Sequence, residues 1–389
     1  MVKGIWMKRD SISGRMAGWG LLLLGLVLSS CSHDKLPLPT IPPVEDRFGN
    51  AGQQVYVQIN PPLDEAHGYT FSRPADVYVG VDNFLYIADT GNDRIVMLDL
   101  GGAVQGFSQP IPHPEAISQN DSLQLLIVNN TNAVYRIDLV KYNHEIWRAP
   151  VEKVYEQSSE PTRQFTGISV HNGFEYYVTV IDVADTSTNF KAHSFIYDFF
   201  ANHTLKGPLP MHVNGTGLFS AILPNAVVSM RERWLDISSR NEDTPAFWFV
   251  QKGFTSVLRN NFPVQHIATR LFEGQEVLDP DVSLIGTDVY DRSRYYNAED
   301  IAIDRSGFVF VVDAGLPPDH PGSEAHPPGF YRFSPNGKLL QSVTGAGSGE
   351  RQFSTPRGIA VTPFLEDQVV YISDTGNNRI LRFKLSTEL

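Results

Sequence analysis

The stretch Pro74-Ala75-Asp76-Val77-Tyr78-Val79-Gly80-Val81-Asp82-Asn83-Phe84-Leu85-Tyr86-Ile87-Ala88-Asp89 decides the fold. Two alternating apolar runs flank a polar turn, the pattern of strand, turn, strand. Thr90-Gly91-Asn92-Asp93-Arg94 then turns the chain into a third strand, Ile95-Val96-Met97-Leu98, and Gly101-Gly102 leads to a fourth. The spacing from the first proline to the end of the second strand recurs without gaps at Pro114–Asn129, Phe165–Val180, Pro224–Ser239 and Ala298–Asp313, and at Pro356–Asp374 with three residues inserted in the turn. Self-similarity of this kind marks a repeat architecture. Four antiparallel strands per repeat make a propeller blade, so residues 53–389 are expected to form one all-β, six-bladed β-propeller. From Pro224 to Ala298 the spacing stretches to 74 residues, against 40 from Pro74 to Pro114, which leaves room for a long insertion or a seventh blade. The chain ends at Leu389 soon after the third strand of the last unit, Ile380 to Lys384. Val55-Tyr56-Val57-Gln58-Ile59 alternates like a strand and is expected to complete that blade, removing two open sheet edges.

Asp89-Thr90-Gly91-Asn92-Asp93-Arg94-Ile95 and Asp374-Thr375-Gly376-Asn377-Asn378-Arg379-Ile380 resemble the signature of NHL repeats, and Phe353, Pro356, Arg357, Gly358, Ile359 and Ala360 resemble its lead-in. The resemblance implies a propeller of the NHL or TolB-like type. The aspartate is expected to accept backbone N–H bonds from the turn and the glycine to supply a left-handed conformation. On that reading Asp89, Gly91, Asn92 and Arg94, with Asp374, Gly376, Asn377 and Arg379, support turns and catalyse nothing. In the middle units Asn129-Asn130-Thr131-Asn132 keeps the polarity, whereas Val180 and Ser239-Arg240 lose the pattern.

Lys3, Lys8, Arg9 and Arg15 precede an apolar run from Met16 to Leu28 that ends at Leu28-Ser29-Ser30-Cys31. The run is shorter than the roughly 20 residues of a membrane span and reads as a signal peptide, residues 1–30. Leu28 to Cys31 resembles the bacterial lipobox, which implies cleavage before Cys31, acylation of that residue with palmitate-like chains, and attachment to a membrane. Cys31 is the only cysteine, so no disulfide framework forms. Residues 31–52 then carry the lipidated cysteine and a stiff proline-rich tether, Leu36-Pro37-Leu38-Pro39-Thr40-Ile41-Pro42-Pro43. Ser32 after the cysteine, by resemblance to enterobacterial lipoproteins, favours the outer membrane of the cell envelope. Removing residues 1–31 takes four basic and one acidic side chain from totals of 31 and 43, which leaves a net charge of −15. Such a body repels nucleic acid.

Across the repeats, the residue after the first position of the inner strand is Ala75, Glu115, Thr166, Asn225, Glu299 and Arg357, and the next is Asp76, Ala116, Gly167, Ala226, Asp300 and Gly358. Asp76, Glu115, Asn225, Glu299, Asp300 and Arg357 therefore form a candidate ligand-binding mouth near the axis. Three readings stay open. The residues cap strand N–H groups or line a wet channel; they bind Ca²⁺, with Glu115, Glu299 and Asp300 as oxygen donors; or histidines of the same face, His113, His320 and His326, hold Zn²⁺. Asn297-Ala298-Glu299-Asp300-Ile301 is similar to the Glu-Asp calcium element of six-bladed lactonases and arylesterases, and peptide-amidating lyases are NHL-like propellers with histidine-held metal. There is no Gly-x-Ser-x-Gly elbow and no phosphate loop that opens a helix. The leading expectation is a non-enzymatic binding or scaffold propeller for a protein, peptide or glycan, with a metal-dependent hydrolase or lyase as the alternative. The anchor is tested directly: Cys31→Ser should move the protein from the membrane fraction to the soluble fraction and abolish palmitate labelling, and a variant that stays membrane-bound would refute lipid attachment at this residue.

Overall fold

A strand that is apolar on both faces must be covered on both sides, and the second strands of the repeats are of this kind. In the computed structural model, which describes residues 55–389 apart from 187–192, 210–220, 231–242, 253–260, 274, 317–318, 320–325 and 365, they lie between neighbouring blades. Strands are numbered β1 to β24 in chain order. In β3 (Phe84–Asp89), Leu85 and Ile87 pack toward the last blade while Tyr86 and Ala88 pack toward the second. In β19 (Val309–Asp313), Val309 and Val311 face one neighbour, Phe310 and Val312 the other. Six apolar clusters result, one at each junction between blades.

The described strands form six four-stranded antiparallel sheets. Their inner strands, β2 (Pro74–Val79), β6 (Ala116–Gln119), β10 (Arg163–His171), β14 (Pro224–Ser229), β18 (Ala298–Ile303) and β22 (Gly358–Val361), neighbour one another in a closed ring around the axis. This is the expected six-bladed, all-β propeller. The last blade is closed as expected: β1 (Tyr56–Leu63) pairs antiparallel with β24 (Arg379–Leu385), Tyr56 opposite Leu385. Tyr56 and Leu63 are buried on opposite faces of that blade. Burying each contributes about 1.5–3 kcal/mol.

The fourth blade departs from the expected register. Pro224 faces Gln251, at the end of β15 (Asp243–Gln251), and Ser239 lies outside the described residues. The long spacing before Ala298 therefore holds a longer first hairpin and two short 3₁₀ turns, Val282–Leu284 and Asp288–Tyr290, and the described strands form no seventh blade. Gln251 does the work of the motif aspartate: its Oε1 accepts the N–H of Ile222 at 2.5 Å.

The motif turns also differ from expectation in how they work. Asp89 and Asp374, both fully buried, accept N–H bonds not from their own turns but from the loop ahead of the inner strand, Ser72 and Ser354, each at 2.7 Å. Their second oxygens take Asn92 and Arg94 at 2.8 Å, and Asn377 and Arg379 at 2.8 and 2.7 Å. The left-handed residues are Asp93 and Asn378, at φ 53° and 52°, rather than the glycines. Gly91 is needed because its N–H reaches Ser72 C=O at 2.7 Å, so close that a Cβ would sit 2.6 Å from that oxygen.

Thr90 and Thr375 latch blade to blade. Thr90 Oγ1 donates to Pro114 C=O of the second blade at 2.6 Å, and Thr375 Oγ1 to Pro74 C=O of the first at 2.7 Å. Thr375→Val removes the donor and leaves that buried carbonyl unpaired, at a cost of about 1–3 kcal/mol. Urea denaturation should show this loss for Val and near wild-type stability for Thr375→Ser; equal stability of all three would refute the latch.

Candidate functional site at the propeller axis

Pro74 lies opposite Asp89, so the start of each inner strand and the turn between second and third strands share one face. Residues at the start of the inner strands thereby converge. Asp76, Glu115, Asn225, Glu299, Asp300 and Arg357 all line one axial cavity of about 100 Å³. A water needs roughly 10–15 Å³ of such space, so the cavity accommodates several. Glu115 and Arg357 also floor a wider vestibule of about 560 Å³, walled by Arg73, Thr90, His113, Asn129, Asn130, Thr131 and Thr375.

Inner strands have no strand partner on the axial side, and their N–H groups need other acceptors. Side chains of the preceding blade supply them. Asp76 Oδ2 accepts Ile117 N–H at 2.8 Å, Ser118 Oγ accepts Val170 N–H at 2.9 Å, Ser169 Oγ accepts Ser229 N–H at 2.9 Å, and Asp300 Oδ2 accepts Ile359 N–H at 2.8 Å. The other oxygens of Asp76 and Asp300 accept the N–H of Val77 and Ile301. These two aspartates therefore brace the ring as well as line the cavity. Burial pushes the Asp76 carboxyl up to about 7 against the pull of its two N–H donors and of Arg357. Burial, then the charge of Asp76, raises Asp300 well above the carboxylate range. Burial raises Asp313 to about 6 although it accepts N–H bonds from Gly315, Asn297 and Tyr296.

Charges alternate around the axis, from the vestibule floor at Glu115 and Arg357 to Glu299 and Lys252. Arg357 Nη2 meets Glu115 Oε2 at 2.6 Å, its Nε lies 3.7 Å from Glu299 Oε2, and Lys252 Nζ meets the same Glu299 oxygen at 3.0 Å. Asn297 Nδ2 donates to Glu299 Oε1 at 2.6 Å, and Asn225 Nδ2 to the Glu299 carbonyl at 2.5 Å. Burial opposes the Arg357 charge, but Glu115 and Glu299 more than offset it and hold the guanidinium protonated. Lys252 carries no signal in the sequence, because Gln251 replaces the motif aspartate that would mark the turn ahead of it. In the observed register Gln251 stands where the first blade has Asp89, and Lys252 follows it as Thr90 follows Asp89.

Among the described residues no group of three or more His, Cys, Asp or Glu is arranged to hold a metal. His113 stands exposed at the vestibule wall, 3.4 Å from Asp93. His326 packs on Tyr296, with ring centroids 5.2 Å apart, and His320 lies outside the described residues.

The fold and site thus define an all-β, six-bladed propeller with an ion-paired axial centre. No family profile matches the sequence, and no curated protein does. Among solved structures, a gluconolactonase from Xanthomonas campestris is similar, with a TM-score of 0.52 at 12% identity over 86% of this chain and 98% of that one. Regucalcin, a calcium-binding protein from Agrobacterium tumefaciens, gives 0.53 at 11% identity over 85% and 94%. A protein of unknown function from Bacteroides thetaiotaomicron gives 0.53 at 9% identity over 86% and 77%. At these identities the likeness is one of fold.

Asp76 carries a folded-state pKa of about 7 against an ordinary value of 3.8. The folded protein therefore keeps a proton that the unfolded chain releases, and this group's contribution makes stability fall as pH rises from about 4 to about 7. Asp76→Asn should flatten that part of the profile, measured by urea denaturation at about pH 5 and about pH 8. Identical pH dependence in the two proteins would rule the effect out.

Proposed function

We propose that the protein acts on a small, polar, neutral molecule at the axial vestibule, as a hydrolase of the lactonase-like kind. The observation that carries the reading is the chain of ion pairs Lys252–Glu299–Arg357–Glu115, drawn from four blades to the axis, whose Glu115 and Arg357 floor the vestibule. Asn130 and Thr131 offer polar groups on the vestibule wall that suit a polyhydroxylated ring, while Thr90 and Thr375 stay committed to their latches. Ester opening needs a base for water and a positive group for the oxyanion. Glu115 would take the proton as water attacks the carbonyl carbon, Arg357 would face the developing oxyanion, and as the carbonyl re-forms the ring C–O bond would break, Glu115 returning that proton to the departing alkoxide. The fold shared with a gluconolactonase is consistent with this choice of substrate class.

The second reading is recognition without turnover of a peptide or glycan. It is favoured by the floor carboxylates being already paired with cations.

Lipid on Cys31 would hold the domain in the cell envelope, with the outer membrane favoured by Ser32. No helix among the described residues is long and apolar enough to cross a membrane. The Asp-Thr-Gly-Asn turns of the first and last blades support placing the repeats near the NHL type.

A panel of sugar lactones and simple esters tests the leading reading. The mature domain should turn over at least one lactone, and Glu115→Gln should lower kcat/KM by about 10²–10⁴-fold. Saturable binding of the same ligands with no turnover would replace hydrolysis by the recognition role.

A further inference from the structure

We propose that Arg357 takes the place of a divalent cation at the propeller axis, so that the centre works with a built-in guanidinium and without a metal. A hard cation is the natural ligand for oxygen donors brought together from several blades, and a calcium-binding protein shares this fold. The donors present here are otherwise engaged. Both oxygens of Asp300 accept backbone N–H bonds, from Ile301 and Ile359. Glu299 takes Asn297 on one oxygen and Lys252 on the other, and Glu115 takes Arg357.

The placement of the arginine completes the argument. The inner-strand position that carries Glu115, Asn225 and Glu299 in other blades carries Arg357 in the sixth. Ring closure brings it to Glu115, 242 residues away in sequence. Two carboxylates face one guanidinium and one ammonium, a balanced set, and a divalent ion added there would meet two positive groups already seated on its ligands. A planar guanidinium suits this position because it spans two carboxylates at once. Arg357 Nε is buried and has no hydrogen-bond partner, so it is held by charge alone, facing Glu299 Oε2 at 3.7 Å.

Removing the guanidinium should uncover the cation site it replaces. The mature wild-type domain, titrated with Ca²⁺ alone, should give no calorimetric binding and the same melting temperature in Ca²⁺ and in EDTA. Arg357→Ala and Arg357→Gln should each bind Ca²⁺ at least tenfold more tightly than the wild type and melt higher in Ca²⁺ than in EDTA. Arg357→Lys, which keeps a charge there, should ignore the ion. Calcium binding by the wild type overturns the proposal, as do folded Ala and Gln variants that do not respond to Ca²⁺. If neither variant folds with or without Ca²⁺, the wild-type titration decides the matter. The readout is binding and melting, so failure of the lactone panel leaves this inference standing, and its failure leaves the lactone reading open.

Discussion

The structure depends on the unpartnered edge of the innermost strand in each blade. A sheet can satisfy its backbone groups only along the strand ladder, and the first strand of a blade faces the axis with a row of N–H and C=O groups that no other strand reaches. Side chains answer for it: aspartates and serines accept N–H groups across the blade junctions, and threonines donate to carbonyls of the next blade. The apolar clusters between blades supply most of the attraction, but they are non-directional. The polar latches set the angle at which each blade meets the next, and so fix where the axial residues point.

That requirement explains why the same residues serve structure and site. Asp76 and Asp300 cannot be pure ligand groups, because four backbone N–H bonds hold them in the wall of the channel. Glu115, Glu299 and Arg357 stand one position earlier, above the last latch, and are free to pair with one another. A change of one residue along the inner strand thus separates a bracing carboxylate from a binding one.

Much of this was legible in the sequence, for physical reasons that differ by blade. Where the second strand is covered on both sides and ends in Asp, as at Leu85–Asp89 and Val370–Asp374, the run of apolar residues and the turn signal fall together and the register is unambiguous. The closing strand was legible because Tyr56 to Ile59 alternates and the last unit lacked a partner. The fourth blade was not, because Gln251 substitutes for the aspartate by hydrogen bonding alone and the sequence after it, Lys252-Gly253-Phe254-Thr255, lacks the Thr-Gly-Asn pattern. The same substitution hides Lys252. The role of Gly91 is not written in local propensity, because its close approach to Ser72 is a contact between segments. The axial residues were found by column, yet their pairing was not, because which charges meet around a ring depends on closure.

Closure has a mechanical side as well. Val55 C=O accepts the N–H of Ser386 at 2.7 Å, and Tyr56 sits opposite Leu385, at the end of the blade away from the Arg379 turn and therefore away from the vestibule. Tension entering the chain at Val55, opposed by a load held at the vestibule face, runs along β1 rather than across it. The cross-strand bonds from Tyr56 to Leu63 are then strained together in shear instead of being peeled apart one after another. The strand that closes the ring is also the one through which the propeller would bear force.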